Sequence, residues 1–125
     1  MGSPNWLGDV KSTREVSIKQ ETRLSKEFKG RCTSNSGAKF VENDVKAVNF
    51  DIEAKTTMSS QYVLKMDEIK KMERRSDKDK IPLFIVEFQK FDREFVLMDK
   101  EDFLLLFCTL LALKTSFMSM RKQFW

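Results

Sequence analysis

Apolar and polar residues alternate along Phe50-Asp51-Ile52-Glu53-Ala54-Lys55, the period of a half-buried strand. Side chains two apart share a face, so Phe50, Ile52 and Ala54 are expected in the core, with Glu53 and Lys55 side by side on the other face. Asp44 opens the segment Asp44-Val45-Lys46-Ala47-Val48, and a turn through Val48-Asn49-Phe50 would bring it back beside Glu53. Upstream, residues 14–28 read as a helix stopped by Gly30, with Glu21, Leu24 and Phe28 on one face at i, i+3 and i+7. Residues 31–33 predict a short strand.

Downstream, residues 62–64 read as briefly extended and 65–80 as an amphipathic helix. Met66, Ile69 and Met72 form its narrow apolar edge, and Lys70, Lys71, Arg74 and Arg75 its mostly exposed side. Residues 81–88 are apolar in both registers, as in a central strand covered on two faces. A turn over 91–93 leads into a strand over 94–98. Asp99 and Asp102 then read as a helix cap and a first-turn acid. The helix they introduce is apolar almost all round from 103 to 113. That run falls short of the roughly 20 residues a bilayer crossing takes, so it must bury its surface in the core or against another chain. Phe117, Met118, Met120, Phe124 and Trp125 extend the same apolar surface.

At 125 residues the chain is expected to form one domain over 14–125, after an N-terminal arm at 1–13 that holds Gly, Pro and Ser without an apolar period. The fold expected is α/β, a mixed central sheet flanked by helices with the acids gathered at one edge. The chain has no histidine, which excludes Ser-His-Asp and Cys-His catalysis and histidine-bound zinc. Cys32 and Cys108 lie far apart and read as free or buried thiols of a reducing, cytoplasmic compartment. No membrane address is visible.

Net charge is +4 and unevenly spread. Residues 10–31 hold seven Lys or Arg against three acids, and residues 81–102 three against six. This asymmetry suits a polyanion on one side and equally suits an ordinary solvated surface.

Chemistry then narrows to carboxylates, lysine, serine or a metal. Asp44, Glu53 and Lys55 at one strand end form a candidate site for a divalent cation and a phosphodiester. Glu21, a carboxylate on an apolar helix face, either points at something cationic or is a solvated acid at its margin; Glu27 falls beside that stripe. Glu42 is either a further ligand or a decoy.

The pattern D-X(n)-E-X-K resembles the PD-(D/E)XK nuclease superfamily. Ser36-Gly37-Ala38, Asn43-Asp44-Val45 and Ile52-Glu53-Ala54-Lys55-Thr56-Thr57, in that order after a helix acid and before two strands, resemble its Holliday junction resolvase branch, small phage-type members above all. The likeness covers about residues 19–103. Asn43 stands where phage-type members usually carry glycine. The resemblance implies a restriction-endonuclease-like core and a homodimer that cuts four-way DNA junctions, leaving 5′-phosphate and 3′-hydroxyl ends. It implies Mg²⁺, with Mn²⁺ able to substitute, held by Asp44, Glu53, the Ala54 carbonyl and Glu21, beside a catalytic Lys55. DNA contacts would come from Ser34, Ser36, Gly37, Thr56, Thr57, Lys26 and Arg31. A nicking or debranching nuclease with the same site, and a non-catalytic DNA-binding protein, are the alternatives.

Overall fold

The computed structural model describes residues 13–33 and 42–114. Over these the order is α1 (Thr13–Glu27), β1 (Arg31–Cys32), β2 (Val45–Lys46), β3 (Phe50–Thr57), α2 (Met66–Arg75), β4 (Ile81–Phe88), a 3₁₀ turn (Gln89–Phe91), β5 (Arg93–Leu97) and α3 (Lys100–Ala112). The strands form one sheet in sequence order. Only the β3–β4 pair is parallel; the other neighbours among the described strands run antiparallel. The parallel pair needs a crossover, and α2 supplies it. The α/β class and the mixed sheet are as the sequence pattern predicts.

The β2–β3 hairpin forms where expected. Val45 faces Ile52 and Lys46 faces Asp51, and the Ala47 N–H donates to the Phe50 carbonyl at 2.8 Å. Helix α1 ends in a Schellman arrangement: Gly30 N–H reaches Ser25 O at 2.7 Å and Lys29 N–H reaches Lys26 O at 3.2 Å. Lys29, not Gly30, takes the left-handed backbone there, at φ 55°. Gly30 is needed for another reason. A Cβ on it would stand 2.3 Å from the Lys46 carbonyl oxygen, so its lack of a side chain lets α1 turn tightly into the sheet.

Two apolar layers sandwich the sheet. Leu24 packs on Val45, Ile52, Ala54, Leu83 and Ile85 on one side. Met72 packs on Phe84 and Val86 on the other. Strand β4 is therefore covered on both faces, as its unbroken apolar run predicts.

The structure departs from the sequence pattern in four places. Strand β3 is not half-buried: Asp51 and Glu53 are both buried, because α2 and the turn after it close over the face that alternation marks as polar. Asp51 accepts the Asp77 N–H at 2.8 Å, which accounts for a carboxylate there. Helix α2 stops at Arg75, five residues early, with Ser76 extended. Residues 62–64 form no strand. Finally, α3 exists and Asp99 caps it, accepting the Glu101 N–H at 2.8 Å, yet none of its residues is buried. Of the two covers expected for this helix, its own core or another chain, the core does not supply one among the described residues. Its first turn is anchored, Met98 and Asp102 lining a cavity of about 180 Å³ with Met66, Ile69 and Pro82; the rest faces outward.

Candidate active site

Antiparallel register carries Asp44 to the position opposite Glu53, one step beyond the Val45–Ile52 pair. Its Oδ2 accepts the Ala54 N–H at 2.8 Å, which fixes the carboxylate against β3. The main chain behind it is held as firmly. Thr33 N–H donates to Asp44 O at 2.9 Å, and Thr33 Oγ1 donates to Asn43 O at 2.6 Å. Asn43 is buried and donates from Nδ2 to Met72 O at 3.0 Å and Ser76 Oγ at 2.9 Å. Its amide ties the residue before Asp44 to the end of α2, a task a glycine there could not perform.

Glu53 is 8% exposed. Burial, a hydrogen bond with Asp44 and the Asp44 charge push its carboxyl up to about 8, against the opposing pull of Lys55 and Arg75. Glu21 reaches the same place from α1. Burial and the Asp44 charge raise it to about 7, with Lys55 again opposing. Three acids and one lysine, drawn from α1, the β2 edge and β3, thus share one electrostatic environment. Among the described residues, however, no three Asp, Glu or Cys side chains close into a cage for an ion. Asp44 and Glu53 make the close pair. Glu21 acts on the pair through its charge interaction with Asp44, opposed by Lys55.

The other candidates fall as follows. Ala54 has its N–H on Asp44; strand geometry sends the carbonyl of the same residue toward the same edge, beyond the short β2. Thr56 and Thr57 continue β3 past Lys55, half-buried, with Thr57 Oγ1 accepting the Ser59 N–H. Lys26 and Arg31 are exposed at the turn from α1 into β1. Ser34, Ser36 and Gly37 lie outside the described residues. Glu42 pairs with Lys46 at 3.3 Å and Glu27 with Arg23 at 2.8 Å, so both are engaged away from the acid pair. Cys32 and Cys108 are free and exposed.

Two residues of consequence are absent from the sequence-derived set. Arg75 Nη1 stands 3.8 Å from Glu53 Oε2. Its place in a charged helical stretch gave no sign of that, because the contact spans 22 positions and arises from the crossover. Gln20 is buried and donates from Nε2 to the Lys55 carbonyl at 3.0 Å and to Glu94 Oε2 at 3.2 Å. Arg23 clamps the same Glu94 through two nitrogens at 2.8 Å each. Burial alone would raise the Glu94 carboxyl, yet these donors hold it below the ordinary range. Helix α1 is thus registered on β3 at the lysine itself, next to Glu21. A signal for Gln20 did exist: it sits four before Leu24 and eight before Phe28, an amide on the apolar stripe.

Compared with models of known families, with characterised proteins and with solved structures, the chain matches none. The case for its function therefore stands on the site.

Proposed function

We propose that the chain is a metal-dependent, structure-selective DNA endonuclease that resolves four-way (Holliday) junctions by hydrolysing phosphodiesters, built on a restriction-endonuclease-like core. The observation that carries this reading is the Asp44–Glu53 pair across the β2–β3 hairpin with Lys55 two residues on. Two carboxyls within hydrogen-bonding reach of one another, one of them raised to about 8, form an environment that a divalent cation would relieve. The donors are hard oxygens, suited to Mg²⁺ or Mn²⁺. Asp44 and Glu53 would hold the ion, with the Ala54 carbonyl as a third donor and Glu21 ligating directly or through water. When bound, such an ion lowers the pKa of water and offsets charge on the scissile phosphate.

The chain's own residues have the remaining tasks. Lys55 brings its ammonium to the phosphate and orients the attacking water. Glu21, raised to about 7 by burial and the Asp44 charge, would give up its proton in favour of a bound cation and serve as a ligand. Exposed Lys26 and Arg31, the Ser34–Gly37 segment, Thr56 and Thr57 would meet the DNA backbone, where positive charge and hydroxyls position a duplex without reading its sequence. The test is cleavage of a four-way junction against a linear duplex built from the same arms. Junction cutting in Mg²⁺, with 5′-phosphate and 3′-hydroxyl ends, is the expected outcome. Equal cutting of the linear duplex would remove the junction selectivity, and cutting in EDTA would remove the metal.

Arg75 adds a prediction that needs no DNA. Its guanidinium competes with a cation for Glu53, so Arg75→Gln is expected to tighten Mn²⁺ binding by roughly fivefold, the scale of one ion pair of about 1 kcal/mol. Titration calorimetry measures this directly. Weaker binding in the variant would mean that Arg75 supports the ion's site and does not oppose it.

A further inference from the structure

Of the basic residues on helix α2, Lys70, Lys71 and Arg74 are exposed. Arg75 alone turns inward, its Nη1 3.8 Å from Glu53 Oε2. Packing accounts for this. Met72, three residues earlier on the same side of the helix, is seated on Phe84, and Phe84 lies beside Glu53 in the β3–β4 register. One turn further along α2 comes Arg75, over Glu53 itself. Asn43 pins this end of the helix through Met72 O and Ser76 Oγ, so the backbone under Arg75 is tied to the residue before Asp44. The ion pair it makes is loose. At 3.8 Å it is too long for a hydrogen bond. Arg23 shows what a committed guanidinium does in this chain, reaching Glu94 through two nitrogens at 2.8 Å each. Among the described residues Arg75 has no other ion pair and no hydrogen bond. Its five N–H donors are uncommitted, next to the strand that carries Lys55.

We propose that Arg75 is a further catalytic residue of this site: its guanidinium exchanges places with a cation on Glu53 and grips the scissile phosphate beside Lys55. The proposal rests on the nuclease reading above. Arginine suits that place. A planar guanidinium donates two parallel N–H bonds to two phosphate oxygens, whereas the Lys55 ammonium is a single point charge. Hydrolysis joins a water oxygen to phosphorus and breaks the bond from phosphorus to the 3′ oxygen. The surplus water proton passes to solvent, and the 3′ oxygen takes a proton back. Arg75 keeps its own proton throughout and holds the non-bridging oxygens while negative charge builds on them. Its removal then has two opposite effects. Metal binding rises because a competitor has gone, and the chemical step slows because a phosphate donor has gone.

Arg75→Gln and Arg75→Lys decide it, each measured by Mn²⁺ calorimetry without DNA and by single-turnover cleavage of a four-way junction at saturating Mg²⁺. Arg75→Gln is expected to bind Mn²⁺ roughly fivefold more tightly and to cut roughly 10²-fold more slowly. Arg75→Lys keeps the charge without the fork, so its rate is expected to fall between that variant and wild type. Cleavage by Arg75→Gln at the wild-type rate or faster would overturn the proposal and leave Arg75 a competitor for the ion and nothing more. Slower cleavage together with weaker Mn²⁺ binding would overturn it too, making Arg75 a support of the ion's site. Should the glutamine variant lose its circular dichroism spectrum, Arg75→Lys still carries the test, since a wild-type rate in it removes the need for a guanidinium. A wild-type chain that cuts neither junction nor duplex sinks the nuclease reading itself, a result distinct from an active wild type beside an unimpaired variant.

Discussion

Asp44→Asn is expected to lower Mg²⁺-dependent cleavage by roughly 10²–10³-fold or more, the scale seen when one preorganised group is removed from a charged transition state. The fold should survive. The asparagine oxygen can still accept the Ala54 N–H that Asp44 Oδ2 takes at 2.8 Å. What disappears is one of two closely paired negative charges. Glu53 is then relieved of the neighbour that raises it, but one carboxylate is a poor cage for a divalent ion. DNA binding should hold or tighten slightly, because the variant removes negative charge from a face meant for phosphates. Lys55→Ala should also abolish cleavage, with Mn²⁺ affinity largely retained, since lysine is not a ligand. Single-turnover cleavage beside a gel-shift assay separates chemistry from binding. Robust Mg²⁺-dependent activity in Asp44→Asn would refute the ligand pair.

The second large effect is on stability, and its sign follows from the raised carboxyls. A carboxyl at about 8 in the folded chain, against 4.5 ordinarily, holds a proton that the unfolded chain has released. The metal-free fold therefore suffers no penalty below pH 4.5, loses stability as pH rises through that window, and bears the whole penalty above about 8. Glu21, raised to about 7, acts in the same direction over a narrower range. Glu94 and Asp77, held below their ordinary range, exert their effects in acid and leave this window alone. Urea unfolding in EDTA should show wild type losing roughly 2–4 kcal/mol between about pH 5 and 9, at about 1.4 kcal/mol for each unit of pKa. Glu53→Gln keeps the shape without the charge and should remove most of that slope, making the variant the more stable protein at high pH. Mg²⁺ should restore wild type and leave Glu53→Gln unaffected. Parallel pH profiles for the two proteins would show that Glu53 is ionised in the fold and that its environment is polar.

The alternation in β3, the turn after Ala47 and the apolar run of β4 determined the hairpin, the register and the meeting of Asp44 with Glu53. These are local or nearly local features, in which a period of two and a short turn leave few arrangements. The helices were legible for the same reason, and so was the Asp99 cap. Periodicity reports which residues share a face but is silent on what covers that face. Only the crossover through α2 decided that Asp51 and Glu53 are buried, that Arg75 comes to Glu53, and that Asn43 anchors the chain before Asp44. Only the packing of α1 decided that Gln20 holds the Lys55 carbonyl beside Glu21. Helix α3 shows the division most plainly. Its sequence dictates that the surface must be covered, because so much apolar area cannot remain in water. The tertiary structure decided that, among the described residues, none of its side chains is buried, since it follows β5, the edge strand of the sheet.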